Sequence, residues 1–289
     1  MFRGSFVALV TPHKKDGEID EKKFRKLIEF QLKNSTDGIV PCGCTGEAAT
    51  LSYNEQMRLM DITVETVNGR IPVVAGAGSN CTEETIKLTR HARKAGCDGA
   101  LLITPYYNKP TPEGQYRHYE KIAKTVDIPI MLYNVPSRTG ISMKPETVAR
   151  LSKIKNIVAI KEASGSLDQV SQILSLCDIA VLSGDDSLTL PIMSLGGQGV
   201  VSVAANIIPK EVHELVRQFL NRDIEGARNR HFKLMPLFKA LFIETNPIPV
   251  KACMGIMKMY KPTWRLPLCE PMPETITKLK KVLKSQGLI

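Results

Sequence analysis

Lys161 has the sequence surroundings that nucleophilic chemistry requires of a lysine. It directly follows the apolar run Ile157–Ile160, so we expect it at the end of a buried strand, with little water around its ammonium group. Burial lowers the pKa of a lysine. Without that shift from about 10.4, roughly a few molecules in ten thousand carry the neutral amine at pH 7. A neutral amine can form a Schiff base with a ketone. The position also suits a structural lysine paired with Glu162, and both interpretations stay open at this point.

Three further segments place polar groups after predicted strands. Gly43–Gly46 can offer successive backbone N–H groups to an anion, with the Thr45 hydroxyl as an additional donor, or it can be a plain turn. Tyr133 ends the strand before Lys161 and could exchange a proton with an adduct there, although a single tyrosine is more often a core residue. Arg138 lies in a short turn and suits bidentate binding of a carboxylate, or it is a surface arginine.

The sequence has no familiar metal-ligand spacing. The five histidines form no HxH or HExxH pattern, and Cys42 and Cys44 have no further ligand nearby, so we expect neither a metal nor another cofactor. Gly196–Gly199 resembles a phosphate-binding loop, but it precedes a predicted strand. It therefore belongs to the opposite face from the strand ends described above, and we interpret it as a tight turn.

Eight short apolar runs, each nearly continuous in hydrophobicity, predict parallel strands that are buried on both faces. They are Phe6–Val10, Gly38–Val40, Pro72–Ala75, Ala100–Ile103, Ile128–Leu132, Ile157–Ile160, Ile179–Leu182 and Val200–Val203. Amphipathic helices are predicted between them, with a capping box at Ser52–Glu55, a proline start at Pro112, and Gly96 after the helix Thr82–Ala95.

Eight strand–helix units in about 220 residues predict an α/β protein, a closed (β/α)8 TIM barrel. An open doubly wound sheet would also alternate, but the GxGxxG fingerprint after the first strand is missing. In a barrel of this kind, catalytic groups come from the C-terminal ends of the strands. The polar segments described above all follow predicted strands, so we expect them to meet at that end.

The strand signal stops after about residue 222. We therefore predict two regions, a barrel with the active site over residues 1–222 and a C-terminal helical appendage over residues 223–289. The helices predicted in the second region are Ile224–Phe242, Pro249–Tyr260 and Pro273–Lys284.

The amino-acid composition excludes several classes of protein and of binding partner. The 289 residues are 43% hydrophobic and 24% charged, as in globular proteins, which excludes disorder, collagen and coiled coil. The net charge of +10 is diffuse, so we expect small anionic substrates and no nucleic-acid partner. The uncharged stretch 187–209 contains too many glycines and polar residues for a membrane span.

The cysteines and the N-terminal residues favour a cytoplasmic location. Seven scattered cysteines without a CxxC pair fit neither a disulfide framework nor a zinc ribbon. Residues 1–4 lead straight into a predicted strand and lack the apolar core of a signal peptide.

Several motifs, in this order along the whole chain, resemble the dihydrodipicolinate synthase (4-hydroxy-tetrahydrodipicolinate synthase) family of the N-acetylneuraminate lyase superfamily. They are Gly43-Cys-Thr-Gly-Glu47, Thr104-Pro-Tyr-Tyr107, Tyr133-Asn-Val-Pro-Ser-Arg-Thr-Gly140, Ile160-Lys-Glu-Ala163, Ser183-Gly-Asp-Asp186 and Asn246-Pro-Ile-Pro-Val-Lys251. The resemblance implies a lyase of the class I aldolase type. It would condense pyruvate with L-aspartate-4-semialdehyde to 4-hydroxy-tetrahydrodipicolinate in lysine biosynthesis by the diaminopimelate route.

The resemblance also implies a catalytic set. Lys161 would form the Schiff base, Tyr133 would be the general acid and base, and Tyr107 of a neighbouring subunit would complete a proton relay. That relay implies at least a dimer and usually a homotetramer, a dimer of dimers. Cys44 stands where the family usually has a threonine or serine that links the two tyrosines. The implied substrate-binding residues are Thr45, Arg138, Gly184 and Val201.

Regulated members of the family bind lysine at a second site, between subunits. The matching positions here are Ala48, Ala49, Tyr53, Gln56, Asn80, Glu84 and Tyr106. Ala48 replaces the usual serine, and Tyr53 and Gln56 stand where regulated bacterial enzymes often carry histidine or an acid, so we expect weak or no feedback. If the site is not used, Asn80 would cap the helix that follows and Glu84 would complement the helix dipole.

Two other functions remain open. N-acetylneuraminate lyase and the 2-keto-3-deoxy sugar-acid aldolases of the same superfamily share the lysine, the tyrosine and the G-x-T-G-E loop. Arg138 and the Tyr106–Tyr107 pair favour the synthase over this alternative. A barrel that binds an oxo-acid only as a sensor is the less favoured alternative.

Overall fold

A nearly closed barrel of eight parallel strands forms the centre of the molecule. The computed structural model describes residues 2–289. The strands are β1 (Gly4–Ala8), β2 (Gly38–Val40), β3 (Val74–Gly76), β4 (Gly99–Ile103), β5 (Ile130–Asn134), β6 (Ile157–Glu162), β7 (Ala180–Ser183) and β8 (Gly199–Ser202). Their order is β2-β1-β8-β7-β6-β5-β4-β3, and a parallel bridge between Ile39 and Val73 brings β2 beside β3. The predicted (β/α)8 fold is confirmed, with every predicted strand present.

Helices follow the strands and pack around the barrel. They are α1 (Glu21–Lys33), α2 (Tyr53–Val67), α3 (Thr82–Ala95), α4 (Pro112–Thr125), α5 (Pro136–Thr139), α6 (Pro145–Leu151), α7 (Leu167–Leu176), α8 (Thr189–Ser194), α9 (Pro209–Leu220), α10 (Ile224–Ala240), α11 (Ile248–Ile256) and α12 (Pro273–Ser285).

The helix ends form where the sequence predicts them. Ser52 and Glu55 make both hydrogen bonds of the capping box before α2. The Gly114 backbone N–H donates to the Thr111 hydroxyl at the start of α4, over 3.2 Å. Gly96 ends α3 with a φ of +93°, a conformation that glycine adopts without steric cost. These local signals determine where the helices begin and end.

Each strand is buried on both faces, which explains why its sequence is almost continuously apolar. One face packs against the helices, for example through Val7, Ile39 and Ile160. The other face fills the barrel interior, in a cluster formed by strand residues and the residues next to them, including Phe6 and Met131. Side chains alternate between the two faces along a strand. This alternation decides which polar side chain at a strand end points into the barrel.

The C-terminal helices pack on the barrel and on one another. α10 packs on α9, and α12 packs on α10 and α11. The predicted helix Pro249–Tyr260 is shorter than expected, because it ends at Ile256 and Lys258 adopts a left-handed φ of +58°. The division at residue 222 stays a prediction. No helix within residues 2–289 is long and apolar enough to span a membrane.

Candidate active site

Lys161 and Tyr133 lie side by side at the C-terminal ends of neighbouring strands. They are direct partners in the register of β5 and β6. The Nζ atom of Lys161 lies 4.2 Å from the centre of the Tyr133 ring. Each residue is only 5% exposed. Ile160 belongs to the outer, helix-facing cluster, so alternation turns the Lys161 side chain into the barrel. The sequence order alone predicted this proximity, and the structure places both groups in one buried space.

Burial shifts the pKa values of Lys161 and Tyr133 in opposite directions. It lowers the pKa of Lys161, and the nearby Cys44, Asp185 and Asp186 oppose that shift. Burial also raises the pKa of Tyr133 well above its usual range, and the Cys44 thiol adds to the rise. Charged forms are disfavoured in a space with little water. The lysine is therefore closer to its neutral, nucleophilic form than a solvated lysine, and the tyrosine stays a protonated donor.

Gly184 lies directly against the lysine. A Cβ atom added at this position would be 3.1 Å from the Cε of Lys161 and 2.6 Å from the Cβ of Ala163. A side chain there would clash with Ala163 and press on the lysine. Val201, on β8, is fully buried and belongs to the interior cluster that also contains Tyr133. The structure thus brings both predicted pocket residues to the reacting end of the barrel.

The loop after β2 is held from two sides. Asn246 donates from Nδ2 to the Thr45 hydroxyl over 2.9 Å, and the Thr11 hydroxyl donates to the carbonyl of Gly46 over 2.7 Å. Just beyond, Nζ of Lys251 lies 2.5 Å from Oε1 of Glu47, and both side chains are completely buried. Sequence reasoning assigned no role to Asn246, Glu47 or Lys251. Lys251 is the charged residue in the otherwise uncharged helix α11, but those helix bounds come from the structure, so no sequence signal identified the pair.

Arg138 is carried by the one-turn helix α5, where a simple turn was predicted. The side chain is on the surface, and its Nη2 donates to the main-chain carbonyl of Asn246 over 2.9 Å. The guanidinium group keeps further N–H donors for a carboxylate. Arg138 and Thr45 are therefore both fixed by the same residue of the C-terminal region.

A cavity of about 620 Å³ opens beside these groups. Cys44, Tyr133, Arg138 and Asn246 line it, whereas Lys161, Thr45, Gly184 and Val201 are absent from its lining. Lys161 is not part of the cavity wall, but its Nζ lies 4.2 Å from the centre of the Tyr133 ring, which is. Within residues 2–289, no group of three or more His, Cys, Asp or Glu side chains is arranged to hold a metal ion.

Tyr106 and Tyr107 have different surroundings although they are adjacent. Tyr106 lines the cavity. Tyr107 is 88% exposed and has a left-handed φ of +69°. A tyrosine rarely adopts this backbone conformation. The conformation turns an aromatic side chain out into solvent beside the candidate site.

Most positions of the candidate lysine site line another part of the same cavity. They are Ala48, Ala49, Tyr53, Gln56, Glu84 and Tyr106, and Asn80 is not in the lining. Asn80 does not cap α3, because the N-cap position is occupied by Cys81. Glu84 accepts a hydrogen bond from Ser79 over 2.6 Å, and its hydrogen bond with Tyr53 raises the pKa of that phenol to about 12.

The similarity to known proteins extends over the whole chain. Residues 1–286 match the dihydrodipicolinate synthetase family. Proteins named 4-hydroxy-tetrahydrodipicolinate synthase from Syntrophobacter fumaroxidans and Thermodesulfovibrio yellowstonii are 55% and 56% identical, covering 100% of this chain and of each relative. A dihydrodipicolinate synthase from Acinetobacter baumannii, solved in complex with pyruvate, is 42% identical with a TM-score of 0.98, covering 100% of both chains. The resemblance seen in the motifs is confirmed, and the chain belongs to the dihydrodipicolinate synthetase family.

Proposed function

We propose that this chain is a 4-hydroxy-tetrahydrodipicolinate synthase, which condenses pyruvate with L-aspartate-4-semialdehyde in the diaminopimelate route of lysine biosynthesis. The observation that carries the proposal is the Lys161 amine, buried inside the barrel against the Tyr133 ring in surroundings that lower its pKa. Membership of the family over residues 1–286 supports the choice of substrates.

The chemistry requires a neutral amine and a proton donor side by side. The Nζ atom of Lys161 adds to the C2 carbonyl of pyruvate, and the carbonyl oxygen leaves as water while the C=N bond forms. The Tyr133 phenol supplies a proton to that water and regains one later in the cycle. The imine draws electrons from C3 of pyruvate, which loses a proton and attacks the aldehyde carbon of the second substrate, and the aldehyde oxygen takes up a proton to become a hydroxyl group. The amino group of the second substrate then attacks the imine carbon, which closes the ring of the product, breaks the bond to Nζ and returns Lys161 as the free amine.

We assign the carboxylates of the two substrates to different binding residues. The Thr45 hydroxyl and the backbone of Gly43–Gly46 hold the pyruvate carboxylate, and Arg138 holds the carboxylate of the semialdehyde. Gly184 and Val201 complete the pocket through their backbones. The position of Gly184 supports this assignment, since an added Cβ would lie 2.6 Å from the Cβ of Ala163 and 3.1 Å from the Cε of Lys161.

The exposed Tyr107 supports assembly of several copies. An aromatic side chain that is 88% exposed, beside a neighbour that lines the cavity, is suited to enter the site of a second subunit. We therefore assign Tyr107 to a proton relay across a subunit interface, through Cys44 to Tyr133, in a homotetramer built as a dimer of dimers. The seven cysteines are free thiols in the described chain, which supports a cytoplasmic location.

The decisive experiment traps the Schiff base. The protein is incubated with pyruvate and borohydride and its intact mass is measured. We expect one reduced adduct per chain, which is lost in Lys161→Ala and retained in Lys155→Ala, an exposed lysine just before β6. An undiminished adduct on Lys161→Ala would overturn the assignment of the nucleophile.

A second assay separates the synthase from its alternatives. Condensation with aspartate semialdehyde is compared with cleavage of N-acetylneuraminate and of 2-keto-3-deoxy sugar acids. Turnover confined to the semialdehyde supports the synthase. Cleavage of a sugar acid without condensation would favour the aldolase alternative, and an adduct without any turnover would favour an oxo-acid sensor.

A further inference from the structure

Asn246 connects the two side chains that the proposed function assigns to the substrate carboxylates. Its side-chain Nδ2 donates to the Thr45 hydroxyl over 2.9 Å, in a fully buried contact. Its main-chain carbonyl accepts from Nη2 of Arg138 over 2.9 Å. Asn246 lies in the loop before α11 and lines the cavity. One residue therefore contacts both groups, but through chemically independent atoms.

The side-chain contact determines where the Thr45 proton can go. A hydroxyl has one proton to donate and lone pairs to accept with. Since an amide N–H can only donate, the Thr45 oxygen is the acceptor here, and its own proton remains available. The Asn246 bond is the one hydrogen bond of this hydroxyl among the contacts of residues 2–289. The proton is therefore free for a ligand.

Asn246 makes no competing side-chain contact of this kind. The residue is 6% exposed, and its Oδ1 is buried without a donor within the described part of the chain. The contact to Thr45 is therefore the one side-chain hydrogen bond that Asn246 makes within residues 2–289.

We propose that Asn246 is a positioning residue, whose side-chain amide directs the Thr45 hydroxyl proton toward the pyruvate carboxylate while its main-chain carbonyl separately holds Arg138 for the semialdehyde carboxylate. This inference rests on the proposed function. It implies that changes to the Asn246 side chain alter pyruvate binding selectively, because the Arg138 contact is made to the backbone and remains in every variant.

The test compares steady-state kinetics for both substrates in Asn246→Ala and Asn246→Asp. Asn246→Ala leaves the hydroxyl without its fixed donor and should raise KM for pyruvate about tenfold, which corresponds to about 1.4 kcal/mol. Asn246→Asp keeps the shape but accepts the Thr45 proton, so it turns the donor away and adds a negative charge. It should raise KM for pyruvate more than Asn246→Ala does. KM for the semialdehyde should change less than about threefold in both.

Thr11→Val is the matched control, since it removes a buried hydrogen bond to the same loop without contacting Thr45. It should lower stability but leave KM for pyruvate within about twofold. In a Thr45→Val background, Asn246→Ala should have no further effect on pyruvate, because contacting residues couple in such a cycle.

The possible results distinguish a failure of this inference from a failure of the proposed function. Equal rises in KM for both substrates, or a Thr11→Val effect equal to that of Asn246→Ala, would show a merely structural role. An unchanged pyruvate KM in Asn246→Asp would also overturn the proposal. If instead the unmodified protein fails to form the borohydride adduct, the proposed function itself is wrong.

Discussion

The buried ion pair between Glu47 and Lys251 predicts that removing one partner destabilises the protein far more than replacing both. The two charged groups are 2.5 Å apart, and neither side chain is exposed. The second carboxylate oxygen of Glu47 has no hydrogen-bond partner within residues 2–289. Burial raises the pKa of Glu47 and lowers that of Lys251, although each attracts the charge of the other. Each charge is therefore stable mainly because its partner is present.

Lys251→Met is the single perturbation, since methionine is apolar, unbranched and of similar length. It leaves the Glu47 carboxylate buried without its partner, which typically costs about 3–5 kcal/mol. That is a large share of a total stability of about 5–15 kcal/mol. The double variant Glu47→Met/Lys251→Met replaces both buried charged groups with apolar side chains. It should lie within about 1 kcal/mol of the unmodified protein, because such replacements are often neutral or stabilising.

The loss of stability in Lys251→Met should depend on pH. Without Lys251, the pKa of Glu47 in the folded state rises further above its unfolded value of about 4.3. The native state then binds the proton more tightly than the unfolded state, so stability falls as pH increases through that interval. The deficit should be smaller at pH 5 than at pH 8. His13, beside the pair, has a pKa lowered to about 4, mainly by burial, so it adds no positive charge at pH 8.

The assay is urea unfolding at fixed protein concentration, followed by circular dichroism at both pH values. Lys278→Met is the control, because it removes one positive charge from an exposed position on α12. A Lys251→Met protein within about 1 kcal/mol of the unmodified chain at pH 8 would refute the reasoning. So would a double variant as unstable as the single one, since the cost would then arise from packing and not from charge.

Four further predictions concern the site itself. Tyr107→Phe should lower kcat by about 10²–10⁴-fold with little change in pyruvate binding. Mixing Tyr107→Phe subunits with Lys161→Ala subunits should restore activity. No recovery after proven subunit exchange would contradict a site shared between chains. Cys44→Thr should raise kcat or leave it unchanged, since a thiol is a weak donor, and a tenfold drop in the same assay would show that the sulfur contributes. L-Lysine titrated at saturating pyruvate should inhibit weakly or not at all, because the Gln56 amide already donates to two backbone carbonyls; cooperative inhibition below about 1 mM would disprove this. The rate of borohydride trapping should rise with pH and reach half its maximum below about pH 10.4. The reason is that the neutral amine is the nucleophile and burial lowers the pKa of Lys161. A midpoint at or above that pH would mean that the amine is solvated.

Local patterns were sufficient to predict the barrel and the position of Lys161 at the end of one of its strands. Strands buried on both faces must be apolar throughout, so the runs appear directly in the sequence. Helix ends depend on residues within one turn, which is why Ser52, Pro112 and Gly96 were informative. Lys161 stood out for the same reason, because a charge at the end of an apolar strand is visible without knowledge of any distant contact.

The contacts that support the loop after β2 could not be predicted in this way. The Asn246–Thr45 bond joins residues 201 positions apart, and the Glu47–Lys251 pair joins residues 204 positions apart. No local periodicity connects such positions. A buried charge must find a partner, but Lys251 is the single charged residue of its helix only with the bounds that the structure gives, Ile248–Ile256. Nothing in the sequence alone identified its partner as Glu47.

The two kinds of contact divide the chemistry between the two parts of the chain. Lys161 and Tyr133 are fixed by the register of neighbouring strands, so their geometry depends on the barrel alone. Thr45 and Arg138 are instead held by Asn246, which lies beyond the last strand. Under the proposed function, a change within residues 246–251 should therefore alter substrate binding first and leave the amine chemistry largely intact. A change in β5 or β6 should instead act on the proposed covalent step, because strand register keeps Lys161 beside Tyr133.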